Sequence, residues 1–213
     1  GNALGRRHAL GPSMRGRQGT GGAPVHVNAP NEVVAAFSFL RGTDSREHEL
    51  VRAFRAGSSD AFSLVYARVR DVLLDRRDVL LLHPTVAVAV PGHRIGARNL
   101  ACESLIERLS AEFRLMFPGP GLLVRVADGP EAKGSPARDS HAEVRTLRWH
   151  DDQVPAHVRG VLLVDDVIAS GHTLTACFRV LPAVRRSEAH ALVVARALDG
   201  GPPEGSPSEP EPQ

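Results

Sequence analysis

Cysteine is scarce in this sequence of 213 residues, which contains only Cys102 and Cys177. Neither belongs to a C-x-x-C pair or has a histidine at ligand spacing, so we expect no structural zinc and no disulfide framework. Such sparing use of cysteine is typical of proteins in a reducing compartment, and we expect a cytoplasmic location.

Long apolar runs and aromatic residues are also lacking. No run approaches the roughly 20 apolar residues that cross a bilayer, so we expect no membrane span. The arginines near the start are interrupted by glycine and proline, and no apolar segment follows, which is not the pattern of a signal peptide. An aromatic content of 4% argues against a surface that stacks the bases of single-stranded nucleic acid.

Each end of the chain lacks charge of one sign. Residues 1–30 contain four arginines and no acid, whereas residues 199–213 contain four acids and no base. Both ends are rich in small and turn-forming residues and have no apolar periodicity, so we expect a disordered basic tail, a folded domain over 31–198 and a disordered acidic tail. The basic tail could contact nucleic acid weakly, although a solvated extension is the simpler interpretation.

Between these ends, strand-like and helix-like segments alternate. Strand composition is found at 32–40, 85–92, 121–127, 143–149, 161–167 and 190–198. Helical spacing is found at 45–57, 62–72, 98–113 and 173–181, and a long loop of small and polar residues is expected at 128–142. The alternation predicts an α/β fold with a mostly parallel central sheet and helices on both faces. Folds of this class bind ligands beyond the carboxyl ends of their strands.

Two adjacent carboxylates, Asp165 and Asp166, lie at the end of the most apolar predicted strand. Neighbouring like charges disfavour each other unless a cation or hydrogen-bond donors lie close by. The vicinal hydroxyls of a ribose, or Mg²⁺ shared with such a sugar, would supply that partner. A solvated strand end that caps a turn is the alternative interpretation.

A loop of small residues follows the acid pair and leads into a helix. Small side chains let backbone N–H groups converge, and the helix start adds partial positive charge and hydroxyl donors, which suits a phosphate group. Ordinary helix capping by Thr173 uses the same geometry, so the two interpretations are compatible. The predicted phosphate loop comprises Ala169, Ser170, Gly171, His172 and Thr173. Because the acid pair suits the hydroxyls of a sugar and this loop suits its phosphate, the two together predict a ribose-5-phosphate site.

The stretch "VLLVDDVIASGHTL" (161–174) resembles the phosphoribosyl-pyrophosphate (PRPP) signature of type I phosphoribosyltransferases. Two further stretches, "HELVRAFRAGSSDAF" (48–62) and "VAVPGHRIGARNLACESL" (88–105), resemble the ComF/GntX-like, amidophosphoribosyltransferase-like subgroup. The resemblance covers roughly residues 35–198. It implies a type I phosphoribosyltransferase fold with a small N-terminal and hood region. It also implies transfer of phosphoribose from PRPP to a nitrogen nucleophile, with release of pyrophosphate and with Mg²⁺ carried by PRPP.

The resemblance also implies roles for particular residues. Asp165 and Asp166 would be the catalytic, ribose-holding acids. Pyrophosphate would bind the turn formed by Gly92, His93 and Arg94, with Arg98 as an addition. The hood would be the loop 128–145, whose candidate cations are Lys133, Arg138 and Arg145. The alternative for all these cations is simple solvation. Arg55, near the subgroup's usual lysine, is interpreted as a helix-end cation, and Trp149 as a packing residue.

Three departures from the family leave the acceptor undefined. The subgroup's N-terminal zinc ribbon is absent, and Ala132 and Glu143 stand where the resemblance places its usual Gln and Asn. Ala169 stands where purine-salvage relatives have an acid that acts as a base, which disfavours a purine acceptor. Two other functions stay open, a PRPP-sensing regulator without turnover and a ComF-like accessory protein of DNA uptake. A homodimer is also left open.

Overall fold

The computed structural model describes residues 32–41, 44–128 and 140–198, and both predicted tails lie outside the described residues. Its strands are β1 (Val33–Leu40), β2 (Thr85–Ala89), β3 (Leu123–Arg125), β4 (Leu147–Trp149), β5 (Gly160–Ile168) and β6 (Ala189–Leu198). Its α-helices are α1 (Arg46–Arg55), α2 (Ser59–Asp75), α3 (Arg77–Leu80), α4 (Leu100–Phe113), α5 (Ser140–Val144), α6 (His172–Val180) and α7 (Ala183–Arg186).

Four strands form a parallel sheet in the order β1-β6-β5-β2. The other two strands, β3 and β4, pair antiparallel in a separate ribbon. The expected α/β fold with a mostly parallel sheet flanked by helices is therefore confirmed. No helix in the described ranges is both long enough and apolar enough to cross a bilayer.

The side chains of β5 divide the interior into two cores. Leu162 and Val164 pack with residues of α1, α2 and α4. Val161 and Leu163 instead pack with the apolar face of α6. Successive residues of a strand point to opposite faces, so a run that is apolar at every position is buried on both sides. The sheet is thus covered by helices on each face.

Each of the first two helices begins with a serine that caps its first turn. The side chain of Ser45 accepts a hydrogen bond from the backbone N–H of His48 at the start of α1. Ser58 does the same for the N–H of Ala61 at the start of α2. Between the two helices Gly57 has a φ of +82°, a conformation that glycine adopts without strain. This turn ends α1, whose last residue, Arg55, contacts Asp166 near the end of β5.

The predicted strand at 143–149 is wrong in its first half. Residues 140–144 form the helix α5, and only Leu147–Trp149 form a strand. The physical reason is that Glu143 turns inward to a buried arginine, and the hydroxyl of Thr146 donates to the backbone carbonyl of Glu143 at 2.8 Å. Most of the predicted loop, residues 129–139, lies outside the described residues.

Candidate functional site

A cleft of about 490 Å³ lies beyond the carboxyl ends of β2 and β5. Two chain segments supply most of its lining, Val90–Ala101 after β2 and Asp165–Leu174 at the end of β5. The cleft occupies the position where parallel α/β sheets bind ligands. The two motifs that the sequence analysis singled out separately therefore meet in one place.

Both predicted acids line this cleft, in different electrostatic settings. The carboxylate of Asp165 accepts the backbone N–H of Asp166 at 2.9 Å. Burial, followed by the charge of Asp166, raises the pKa of Asp165 well above its usual range. Within the described ranges no ion pair joins Asp165 to a cationic side chain. Asp165 is thus a carboxylate whose charge lacks a dedicated protein partner.

Asp166 is paired with Arg55, a residue whose part in the cleft the sequence analysis missed. The Nε of Arg55 donates to Oδ2 of Asp166, and its Nη2 donates to Oδ1 at 2.7 Å, so the contact is bidentate. Arg55 is the last residue of α1, as a helix-end cation would be, but it also lines the cleft. The side chain of Arg55 is 52% exposed, whereas that of Asp166 is 14% exposed. The guanidinium therefore remains open to a ligand in the cleft.

The predicted phosphate loop joins β5 to the start of α6. Ala169, Gly171 and Thr173 line the cleft, whereas Ser170 is exposed and His172 is not part of the lining. Gly171 has a φ of +75° and precedes α6, and no side chain caps this helix start. The first amides of α6 are therefore left without a capping side chain beside the cleft. Such N–H groups favour an anion.

The predicted pyrophosphate turn is a closed loop after β2. The N–H of Gly92 donates to the carbonyl of Ala97 at 3.1 Å. A Cβ on Gly92 would lie 2.9 Å from the Cβ of Ala97, so only glycine fits this position without a shift. Gly92 and His93 line the cleft, whereas Arg94 is exposed and lies outside the lining. Arg94 therefore does not contribute to the cleft in this conformation.

Arg98 replaces Arg94 as the cation of this loop that lines the cleft. Its guanidinium donates to the carboxylate of Glu103, with its Nε at 3.0 and 3.1 Å from the two oxygens. The side chain of Arg98 is half exposed while that of Glu103 is largely buried. The arginine thus has one face held in place and another open to solvent.

The predicted hood residues are not brought to the cleft. Lys133 and Arg138 lie outside the described residues. Arg145 is exposed and is not among the residues that line the cleft. Trp149 packs against the second core and donates its indole N–H to Asp151 at 3.0 Å, as expected of a packing residue. The role of the hood stays a prediction.

A buried polar network behind the cleft was not anticipated. Arg125 of β3 donates to the Gly92 carbonyl, to the Thr146 hydroxyl and to Glu143. Glu143 also accepts the hydroxyl of Thr173 at 2.9 Å. The only signal in the sequence is a single charged residue within the apolar run "GLLVRVA".

An adjoining recess of about 580 Å³ shares Arg55, Leu100 and Ala101 with the cleft. Phe54 and Phe62 supply apolar surface there, and the polar side chains besides Arg55 are those of three serines, namely Ser59, Ser63 and Ser104. An apolar pocket with a few hydroxyls is suited to a small organic group.

In the part of the chain that the structure describes, no group of three or more histidine, cysteine or acidic side chains converges as a metal site. The cleft offers two carboxylates, one of them already engaged by Arg55. These residues fit a cation that brings most of its ligands with a substrate. No protein-family model matches this chain, and no curated protein matches it either.

Proposed function

We propose that this chain is a type I phosphoribosyltransferase that binds PRPP with Mg²⁺ and transfers phosphoribose to a nitrogen nucleophile, with release of pyrophosphate. The observation that carries the proposal is the convergence of Asp165, the uncapped start of α6 and the Gly92 turn on one cleft. An activated sugar bearing a phosphate at one end and a diphosphate at the other needs these three elements together.

In this proposal the ribose lies over the acid pair. Its hydroxyls donate to Asp165 and to the lone pairs of Asp166 that Arg55 leaves free. Hydrogen bonds from a ligand replace the solvation that burial denies to Asp165. The 5′-phosphate accepts from backbone N–H groups at the start of α6, where the helix dipole favours negative charge.

The diphosphate lies between the Gly92 turn and the two exposed guanidinium groups of Arg55 and Arg98. Planar guanidinium groups bind phosphate oxygens in pairs, which suits a leaving group that gains negative charge as the C1–O bond breaks. Asp165 is the carboxylate of the cleft that would help the diphosphate to hold Mg²⁺, which would supply further charge stabilisation. The protein's own contribution is to position the sugar and to offer fixed donors to the developing anion.

The decisive experiment measures PRPP binding by calorimetry for the wild-type chain and for Asp165→Asn/Asp166→Asn. We expect this double variant to lose binding by at least about 100-fold, because both acceptors for the ribose hydroxyls lose their charge. Asp152→Asn, an exposed acid outside the cleft, serves as the control and should bind like the wild type. Unchanged affinity in the double variant would contradict the proposal.

Turnover is tested separately from binding. The wild-type chain, PRPP, Mg²⁺ and a panel of nitrogen nucleophiles are incubated, and released pyrophosphate is measured. Acceptor-dependent release supports the transferase. Tight PRPP binding without release for any acceptor would instead assign the chain to the PRPP-sensing regulators.

A further inference from the structure

The network behind the cleft joins the two loops that would hold the two ends of the substrate. Arg125 contacts the carbonyl of Gly92 in the pyrophosphate turn, and Glu143 contacts the hydroxyl of Thr173 in the phosphate loop. Arg125 and Glu143 themselves form an ion pair at 3.2 Å. One continuous chain of hydrogen bonds therefore runs from one loop to the other through two side chains.

We propose that Arg125 and Glu143 form a positioning pair that fixes the distance between the pyrophosphate turn and the phosphate loop. This inference rests on the proposed function. Neither residue lines the main cleft, so both act through the residues they hold.

Burial makes this pair a rigid connection. The side chain of Arg125 is 0% exposed and that of Glu143 is 3% exposed. A buried guanidinium requires a counter-charge and several acceptors, and Arg125 has the carboxylate, the Thr146 hydroxyl and the Gly92 carbonyl. The planar fork of arginine reaches all three acceptors at once, which the single ammonium of lysine cannot do with the same geometry.

The pair also determines what Thr173 offers to a phosphate. A threonine hydroxyl has one hydrogen, and here that hydrogen is donated to Glu143. Thr173 therefore presents its backbone N–H, and not its hydroxyl donor, to an anion in the cleft. The hydroxyl donor that the sequence predicts for the phosphate is therefore engaged by Glu143 instead.

A fixed distance matters most for a ligand that must occupy both loops. PRPP joins a 5′-phosphate and a diphosphate through one ribose. Once one of these groups is bound, the other reaches its own loop at a high effective concentration, but only when the two loops are correctly spaced. Ribose 5-phosphate and inorganic pyrophosphate each need one loop alone. Loss of spacing should therefore weaken PRPP binding more than the binding of either half.

The experiment compares the affinities of PRPP, ribose 5-phosphate and inorganic pyrophosphate, all with Mg²⁺, for the wild type and for Arg125→Met/Glu143→Leu. Removing both partners avoids an unpaired buried charge. We expect PRPP affinity to fall by about 50-fold and that of each half by less than about fivefold. Arg125→Lys should show a smaller change in the same direction.

The matched control is Arg185→Lys, which alters another buried arginine paired with a carboxylate, with Nε of Arg185 at 3.0 Å from Asp151, away from the cleft. It should lower the melting temperature without changing any of the three affinities. If the double variant does not melt cooperatively, Arg125→Lys, which keeps the buried positive charge beside Glu143, is measured in its place with the same expected ranking.

The outcomes separate the two proposals. Equal losses for PRPP and its halves, or no loss at all, would overturn the positioning role and leave the proposed function intact. A wild-type chain that binds neither PRPP nor its halves would overturn the proposed function and the positioning pair together.

Discussion

At the scale of single residues, the negative charge of Asp165 in the cleft lowers the stability of the folded protein. Burial and Asp166 raise the pKa of Asp165 in the folded protein. An aspartate carboxyl group in the unfolded chain has a pKa of about 3.9. Below that pH Asp165 is neutral in both states and does not oppose folding. Between that pH and the higher pKa of the folded state, ionisation favours the unfolded chain, so the free energy of unfolding falls as the pH rises.

Asp165→Asn should consequently stabilise the protein at neutral pH while it weakens PRPP binding. We expect the free energy of unfolding to rise by about 1–2 kcal/mol at pH 7 and to be unchanged at pH 3, where the native carboxyl is already protonated. Urea unfolding at the two pH values checks this, with Asp152→Asn as the control. A lower stability of Asp165→Asn at pH 7 would show that ionised Asp165 supports the fold.

Arg55→Met should have little effect on the free energy of unfolding and a large effect on PRPP binding. The guanidinium of Arg55 is half exposed, and ion pairs of this kind contribute at most about 1 kcal/mol. Its loss leaves the acid pair without its nearest cation, so PRPP affinity should fall by about tenfold or more. Arg70→Met, which breaks the half-exposed pair with Glu112 on another surface, is the control. Calorimetry and thermal melting of both variants would decide the point.

At the scale of elements, the local parts of the fold were predictable and the long-range parts were not. The strand at 161–167 and the helix at 98–113 were predicted because apolar spacing is a local property of the sequence. The segment 143–149 was assigned wrongly because its alternation of polar and apolar residues fits a strand as well as a short helix followed by one.

The same distinction applies to the site. The acid pair and the phosphate loop are consecutive in sequence, and the structure brings the more distant pyrophosphate turn to the same cleft. The partners Arg55 and Asp166 are far apart in sequence, and nothing local to either residue indicates the other. Arg125, Glu143 and Thr173 come from three elements, so their network depends on the packing of the whole fold.

The loop before α6 provides a prediction at this scale. Gly171→Ala places a side chain at a φ of +75° and should cost about 1 kcal/mol of stability. It should also weaken the binding of ribose 5-phosphate, because relaxation of the loop redirects the first amides of α6. Gly119→Ala is the matched control, since Gly119 has a φ of +98° and open space around its Cβ position. Equal affinities for the two variants would contradict a phosphate loop here.

At the scale of the whole molecule, each of the two cysteines lies in a different core, so the accessibility of its thiol shows whether that core is open. Cys102 is buried in the core beneath α4, and Cys177 in the core beneath α6. Burial raises the pKa of both thiols, so neither is reactive in the folded protein. Each thiol becomes accessible only when its own core opens.

Each of the variants Cys102→Ser and Cys177→Ser retains one thiol, whose chemical labelling can be measured during unfolding. Because both cores share the same sheet, we expect thiol labelling to show the same urea midpoint as the loss of helical signal in each variant. Saturating PRPP should raise both midpoints, since a ligand of the folded state stabilises the entire unit. Separate midpoints would show that the two faces of the sheet unfold independently.

The sheet order has a consequence for biosynthesis. Among the described strands β1 is translated first, yet its neighbour in the sheet is β6, the last of them, and Val33 pairs with Ala191. At translation rates of about 5–20 residues per second, β1 leaves the ribosome on the order of ten seconds before its partner exists. During that interval the nascent chain carries an unpaired apolar strand. Chaperones that recognise such segments are therefore expected to associate with this protein early in its synthesis.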